Sequence, residues 1–325
     1  MNENNVVRYF LSDNNLDRAR QWLATSRKHH PANSDVWAFL HRYDENKQHF
    51  LHIFSSGRFS LCSMQVRRTK LGDVAVWGAR DAWVLRALTE ALKAHNFLPI
   101  SESVIHVPLG ATGLTNVMEQ IGTQAQQHSF FCRTDIQGCY QNLNKFKLVE
   151  WLHKQDLTKS IKRLITQFLF YQVESGGIYI NDPRGIPRSC GLSSYILAAI
   201  FYELDESLNR LAGVIYYRYM DDFLILAESR WKLKKAIKLL KIEMARWELT
   251  LHPDKTAIGR VGKGFDWLGV KFDGNQWSGP SKRSLDKSNE KLRLLSSVYG
   301  VDSERVKKFK QGRARWVKWV SKLNR

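Results

Sequence analysis

Apolar residues recur three or four positions apart in several stretches of the chain. Between Asp13 and Ser26 they form one face, and Ser12 or Asp13 is placed to cap the first turn. The same spacing predicts further helices over 81–93, 114–127, 161–172, 195–211 and 231–247.

Short β-branched and aromatic runs separate these helices. The run 129–136 predicts a buried strand that ends in Asp135. Hairpins are predicted over 49–62, around Gly57, and over 214–226, with a shorter pair over 265–272. A further strand is predicted over 249–251. Helices and antiparallel strands together predict an α+β fold.

The turn of the hairpin over 214–226 holds the adjacent acids Asp221 and Asp222. Neighbouring carboxylates repel each other unless a cation lies beside them. Oxygen ligands suit Mg²⁺ or Mn²⁺, and a pair of such ions stabilises an in-line phosphoryl transfer. A solvated turn is the competing interpretation of an isolated Asp-Asp pair.

The composition points to a polyanionic partner. The chain of 325 residues carries 50 Lys and Arg against 31 Asp and Glu, a formal charge of +19. Nucleic acid and an acidic membrane surface both fit that charge. No run of roughly 18 apolar residues occurs, so we expect no membrane-spanning segment. Four scattered cysteines without a Cys-x-x-Cys pair favour a reducing cytoplasm and argue against zinc.

Residues 281–325 concentrate the positive charge, with fourteen Lys and Arg against four Asp and Glu. Trp316 and Trp319 lie three apart on a predicted helix, among Arg313, Arg315 and Lys318. Such a helix is suited to contacting a nucleic-acid backbone. A solvated helix face is the alternative.

The order of these features resembles the palm of reverse transcriptases, and most closely the bacterial group II intron-like members. The motifs that carry the resemblance are a strand ending in Asp135, a Gly-rich loop leading into a helix, Tyr-Met-Asp-Asp, a lysine after the next strand, and Phe-x-Trp-Leu-Gly. The resemblance extends over roughly residues 57 to 290. It implies a right-hand polymerase with fingers, palm and a short helical thumb.

The resemblance also implies catalytic roles. Asp135, Asp221 and Asp222 would hold two Mg²⁺ ions, Mn²⁺ being the substitute, and Ile136 would add at most a backbone carbonyl. Lys255 would protonate the leaving pyrophosphate, with an ordinary surface lysine as the alternative.

Substrate and nucleic-acid contacts follow from the same resemblance. Tyr140 matches the steric gate that excludes a ribose 2′-hydroxyl, with a core tyrosine as the alternative. Further expected substrate contacts are Gly185, Pro187, Arg188, Ser193, Arg80 and Lys70, although the arginine usual before an apolar strand is replaced by Val74-Ala75. Ser189 departs from the usual glycine. Expected nucleic-acid contacts are Phe265, Trp267, Leu268, Gly269, Arg313, Arg315 and Lys318.

We divide the chain into an N-terminal extension with the start of the fingers (1–75), fingers (76–128), palm (129–275, with fingers and palm helices at 145–175) and thumb (276–325). The expected activity is RNA-directed DNA polymerisation with an RNA template, a DNA or RNA primer and dNTPs. A cognate non-coding RNA in a mobile element or antiviral defence system is a further expected partner. A non-catalytic, maturase-like RNA-binding protein and an RNA-dependent RNA polymerase are the alternatives.

Overall fold

The computed structural model describes residues 3–105, 113–188, 190–273 and 276–322. Its helices are α1 (Glu3–Phe10), α2 (Asp13–Ser26), α3 (Asp35–His41), α4 (Tyr43–Ser55), α5 (Ala79–Ala94), α6 (Gly113–Gln127), α7 (Cys139–Asn142), α8 (Lys145–His153), α9 (Lys159–Leu169), α10 (Gly191–Ile200), α11 (Tyr202–Asn209), α12 (Arg230–Arg246), α13 (Lys282–Tyr299) and α14 (Glu304–Lys322). Its strands are β1 (Met64–Thr69), β2 (Gly72–Val76), β3 (Phe130–Asp135), β4 (Val173–Ser175), β5 (Ile178–Ile180), β6 (Val214–Tyr219), β7 (Asp222–Ala227), β8 (Ala257–Arg260), β9 (Phe265–Trp267), β10 (Val270–Asp273) and β11 (Gln276–Pro280).

The chain folds into two compact units that interleave along the sequence. The first contains residues 1–100 and 138–202, and the second contains residues 101–137 and 203–325. The division of the sequence into four segments therefore remains a prediction. All strands near the acidic motifs, from β3 and β6 to β11, belong to the second unit.

The first unit is built around helix α5, which packs against α1, α2, α3 and α10. Trp83 on α5 is fully buried, and its ring lies 5.2 Å from that of Phe50 and 5.5 Å from that of Phe39. A separate four-stranded sheet has the order β2-β1-β4-β5. Its β1–β2 pair is an antiparallel hairpin, whereas β1 and β4 run parallel.

The second unit is organised by a four-stranded antiparallel sheet with the order β6-β7-β3-β8. Strand β7 is buried almost throughout because it lies between β6 and β3. A smaller sheet, β11-β10-β9, shares a hydrophobic core with it, in which Phe265 stacks on Phe272 and on Phe131. The α+β class predicted from the sequence is confirmed.

Three predicted elements differ from the structure. The hairpin over 49–62 is wrong, because 43–55 forms helix α4, whose Phe50 and Phe54 are four apart and both buried. The long helix over 195–211 is two helices that break at Phe201. The strand over 249–251 is reduced to one bridge between Leu251 and Ile136. None of the helices in the described ranges is long and apolar enough to span a bilayer.

Candidate polymerase active site

Two predicted carboxylates lie side by side in the second unit. Strands β3 and β7 are antiparallel neighbours, and their register pairs Asp135 directly with Asp222. Residues paired in this way have Cα atoms about 4.5–5.5 Å apart. Asp221 precedes Asp222 in the turn, and its carbonyl accepts the Ile136 amide at 3.2 Å. The sheet therefore brings together acids that are almost ninety positions apart in the sequence.

The turn that presents Asp221 and Asp222 has an unusual backbone conformation. Met220 adopts a left-handed φ of 55°, which a residue with a side chain takes up only when its surroundings hold it there. Arg218 supplies one such restraint, because its Nη1 donates to the Met220 carbonyl at 3.2 Å.

Arg218 is itself fixed in the interior. It is fully buried, and its Nε donates to Oδ1 of the equally buried Asp205 at 2.9 Å. Its Nη2 forms a second bond to Asp205 Oδ2 at 2.5 Å, and the Tyr216 hydroxyl donates to Oδ1 at 2.8 Å. Arg218 lies three residues before the acidic pair, but no sequence pattern predicts its pairing with Asp205.

Burial in a crowded acidic site raises the pKa of Asp222 to about 6. Desolvation is the largest cause, and the neighbouring charges of Asp135 and Asp221 add to it, while Lys255 and Arg133 act in the opposite direction. The carboxylates thus carry more negative charge than the nearby cations compensate. A divalent cation would relieve this imbalance.

Lys255 forms an ion pair with Asp135. It lies in a short 3-10 helix (Pro253–Lys255), and its Nζ donates to Asp135 Oδ2 at 2.5 Å. Among the described residues, no group of three His, Cys, Asp or Glu side chains lies close enough together to hold a metal ion. Asp135 and Asp222 nevertheless place carboxylate oxygens, the ligands that Mg²⁺ prefers, on adjacent strands.

A cleft of about 280 Å³ begins at these carboxylates. The turn between β9 and β10 lines it through Leu268 and Gly269, and α13 contributes Arg283 and Lys287. These two cations, four residues apart on one helix, were not among the predicted contacts. Their four-residue spacing within the basic C-terminal region places both on one helix face, which is the sequence signal for a shared contact surface.

The four predicted contacts at the β9–β10 turn separate into two groups. Phe265 and Trp267 are 6% and 2% exposed, and both rings belong to the core. Trp267 also lines the cleft, and the nucleic-acid contacts expected of both residues remain predictions. Leu268 and Gly269, which both have positive φ, remain at the cleft. A Cβ at Gly269 would lie 3.1 Å from the Trp316 ring, so a small residue is needed where α14 approaches the turn.

On α14, the predicted Arg315 and Lys318 are exposed and Arg313 is half-buried. Trp316 lines the cleft, and the Trp319 indole donates to the Thr115 hydroxyl at 3.1 Å. The tryptophans thus anchor the helix while the basic residues remain accessible.

In the first unit, Tyr140 and the Gly185 loop are neighbours. The Ile186 amide donates to the Tyr140 carbonyl, and the Gly185 amide donates to the Leu143 carbonyl, each at 2.8 Å. Tyr140 is 9% exposed. Gly185 has a φ of 85°, and a Cβ there would lie 2.9 Å from the carbonyl oxygens of Tyr140 and Gln141.

The other predicted substrate contacts are placed differently. Ser193 is fully buried and its hydroxyl donates to the Pro187 carbonyl, so in this structure both shape the loop. Arg188 and Lys70 are exposed. Arg80 is engaged within the protein, because its guanidinium donates to Asp81 at 2.7 Å and to the Ser60 carbonyl at 2.8 Å. Ser189 lies outside the described residues.

Comparison with known proteins agrees with this geometry. Residues 81–272 match the family model described as reverse transcriptase (RNA-dependent DNA polymerase). The chain belongs to the reverse transcriptase family. Its fold class is accordingly that of the right-hand polymerases.

Two individual proteins are similar over part of their length. The retron Ec86 reverse transcriptase of Escherichia coli is 25% identical over 180 residues, which are 55% of this chain and 50% of that protein. The chain therefore matches about half the length of this curated relative. A structure of apo telomerase from Candida tropicalis, truncated from the C-terminal domain, aligns with a TM-score of 0.45 and 14% identity, over 61% of this chain and 44% of that one.

Proposed function

We propose that this protein is an RNA-directed DNA polymerase that adds dNTPs to a primer 3′-hydroxyl on an RNA template. The observation that carries the proposal is the pairing of Asp135 with Asp222 across β3 and β7, next to Asp221 in the turn. A phosphoryl-transfer site needs such a cluster of oxygen donors on rigid elements. Membership of the reverse transcriptase family supports the same assignment.

Asp135, Asp221 and Asp222 would hold two Mg²⁺ ions, with Mn²⁺ as a substitute, and the Ile136 carbonyl is a further candidate ligand. When bound, the ions supply activation of the 3′-hydroxyl and neutralisation of the leaving pyrophosphate. The protein's own contribution is to hold the acids at fixed positions on adjacent strands. Lys255 would leave Asp135 and donate a proton to the leaving group, a role supported by the contact of its ammonium with Asp135.

For substrate selection we propose Tyr140 as the residue that excludes the ribose 2′-hydroxyl. Its position beside the Gly185 loop, fixed by the Ile186 amide, supports this role. Arg188 and Lys70 are accessible for phosphate contacts, whereas Arg80 is held by Asp81. The template and primer would contact Leu268, Gly269 and the basic residues of α14.

The natural template is proposed to be a dedicated non-coding RNA in a mobile element or an antiviral defence system. The similarity to a retron reverse transcriptase supports a non-coding RNA partner. Sequencing the RNA that co-purifies with the protein tests this point separately from the chemistry. A random sample of cellular RNA would contradict it.

Primer extension on a poly(rA)/oligo(dT) duplex and on a mixed RNA template, with Mg²⁺ and dNTPs, tests the activity. Asp221→Asn should abolish incorporation, while Asp302→Asn, which changes an exposed loop carboxylate, should leave it intact. Equal incorporation by the wild type and Asp221→Asn would contradict the proposal. If the wild type and both variants bind RNA but none of them extends the primer, the protein would instead be a non-catalytic RNA-binding protein.

A second comparison isolates the sugar selection. Tyr140→Ala should increase insertion of ribonucleotides relative to deoxyribonucleotides, because the bulky ring is removed. An unchanged ratio of the two would contradict the role of Tyr140. Preference of the wild type for NTPs would identify an RNA-dependent RNA polymerase.

A further inference from the structure

The first unit contains a cavity of about 380 Å³ that shares no residue with the carboxylate site. Helices α2 and α5, strands β1 and β2 and the start of α10 surround it. Its wall is largely apolar, and includes Trp22, Trp77 and Ala82. The volume is within the range of small-molecule sites, about 300–1,000 Å³.

Several cationic or hydrogen-bonding groups line this cavity. Arg67 places its Nη1 and Nη2 each 3.2 Å from a ring nitrogen of His30. A guanidinium only donates, so it can hydrogen-bond only to the unprotonated ring nitrogen of a neutral imidazole, and one of the two contacts is such a bond. Burial, together with the charges of Arg67 and Arg27, lowers the pKa of His30. A neutral His30 therefore leaves the positive charge of Arg67 uncompensated.

The other cations of the cavity are only partly compensated. Arg27 Nη1 lies 3.9 Å from Asp35, a half-exposed acid, and Arg86 Nη2 lies 3.1 Å from Glu90. Among the described residues no carboxylate oxygen comes within 4.0 Å of the Arg67 guanidinium. Burial lowers the pKa of Arg27, Asp35 acts in the opposite direction, and the nearby charge of Arg67 adds to the lowering. An anion between the two arginines would remove their repulsion.

An independent observation comes from Trp77. Its side chain is 4% exposed and lines the cavity, yet its indole Nε1 is buried without a hydrogen-bond partner. A buried N–H donor without an acceptor costs about 1–3 kcal/mol. The Trp77 carbonyl, by contrast, accepts a bond from Arg27 Nη2 at 2.7 Å. A ligand oxygen could satisfy the indole only after the Trp77 side chain shifts, because its Nε1 is closed to solvent in this structure.

We propose that this cavity binds a free nucleoside phosphate, with the phosphate at Arg67 and Arg27 and the flat base against the wall formed by Trp22 and Ala82. Unpaired guanidinium charge is suited to phosphate, and an apolar wall with an exposed indole is suited to a planar ring. The two arginines would supply the positive charge that a phosphate needs, so binding is expected without a divalent metal. The inference concerns ligand binding and stands apart from polymerase activity.

Isothermal titration of the full chain in EDTA with AMP, ATP, adenosine and inorganic phosphate tests the proposal. AMP or ATP should bind, while adenosine and phosphate alone should bind at least about tenfold more weakly. Arg67→Gln should weaken the binding of AMP and of ATP by about tenfold or more, because a charged hydrogen bond to the phosphate is lost. Arg68→Gln is the matched control, because Arg68 is the next residue on the same strand and is exposed.

The absence of binding of either nucleotide at millimolar concentration would overturn the proposal, and so would equal affinities of the Arg67 and Arg68 variants. Arg67-dependent binding of a 5′-phosphorylated oligonucleotide but not of free nucleotides would also overturn it, in favour of a nucleic-acid contact. Asp222→Asn should bind AMP in EDTA like the wild type. Loss of binding in that variant would assign the nucleotide to the carboxylate site and overturn the proposal.

Discussion

Arg218 joins the buried Asp205 carboxylate to the Met220 carbonyl, one residue before the acidic pair. The ion pair lies in the interior, where the desolvation of both charges is offset only if the geometry is maintained. The backbone of Arg218 is also fixed. Its amide donates to the Ser103 carbonyl and its carbonyl accepts the Ile105 amide, each at 2.9 Å. Arg218, held at both its side chain and its backbone, therefore stabilises the left-handed conformation of Met220.

Replacing Arg218 by Met should destabilise the protein by about 3–5 kcal/mol, because Asp205 remains as a buried uncompensated charge. The double variant Asp205→Asn/Arg218→Met removes both charges and keeps an acceptor for Tyr216, so thermal unfolding should show most of the stability restored. Primer extension by the double variant should remain reduced at least about tenfold, because the bond to the Met220 carbonyl is still missing. Full activity in a stable double variant would show that Arg218 has only a structural role.

Lys255→Met should have opposite effects on metal affinity and on turnover. The ammonium competes with a cation for Asp135, so its removal should lower the Mg²⁺ concentration required for half-maximal extension. Turnover should nevertheless fall, since the proton donor is lost. Titration of Mg²⁺ against single-turnover extension separates the two effects. Lys263→Met, which changes an exposed lysine, should leave both values unchanged.

Asp222→Asn should stabilise the metal-free protein at neutral pH. The folded-state pKa of about 6 lies above the ordinary 3.8, so the folded protein retains this proton more strongly than the unfolded chain. The stability contributed by Asp222 is thus complete below pH ~3.8 and is lost as the pH rises towards 6. The asparagine cannot ionise and avoids that loss.

Thermal unfolding in EDTA should therefore show the variant to be more stable by roughly 2 kcal/mol above pH 6.5, with a smaller difference at pH 4.5. Saturating Mg²⁺ should stabilise the wild type and reduce the difference. Asp302→Asn is the control for a generic effect of charge removal. A difference between the wild type and Asp222→Asn that does not change with pH would contradict the assigned ionisation.

The sequence was sufficient for the local elements that carry the acids, because β-branched and aromatic runs on both sides of Asp221 and Asp222 specify β6 and β7. It also specified helix α2, whose Ser12 hydroxyl caps the Asn15 amide. Alternation over 49–54 predicts a strand, whereas the four-residue spacing of the buried Phe50 and Phe54 fits helix α4. The acidic first turn of that helix is a further helical signal in the sequence.

Long-range contacts account for the remaining differences. Nothing local distinguishes Phe265 and Trp267 as core residues, since their burial depends on β10 and on Phe131, more than 130 positions away. The pairing of Asp205 with Arg218 likewise depends on how α11 packs against β6. The resemblance to a polymerase family indicated which acids belong together, whereas the register of β3 against β7 fixes their separation.

Gly185→Ala and Gly177→Ala form a matched pair that tests the loop beside Tyr140. Both glycines have φ near 86°, at 85° and 87°, so alanine costs a similar backbone strain of about 1 kcal/mol at each. Only at Gly185 does the new Cβ meet backbone, 2.9 Å from the Tyr140 and Gln141 carbonyls, while at Gly177 nothing lies within 4 Å. Gly185→Ala has to displace the loop from Tyr140. It should raise the KM for dNTPs several-fold and lower the unfolding temperature by more than Gly177→Ala does. Equal effects of the two substitutions on both measurements would mean that the loop is not held against Tyr140.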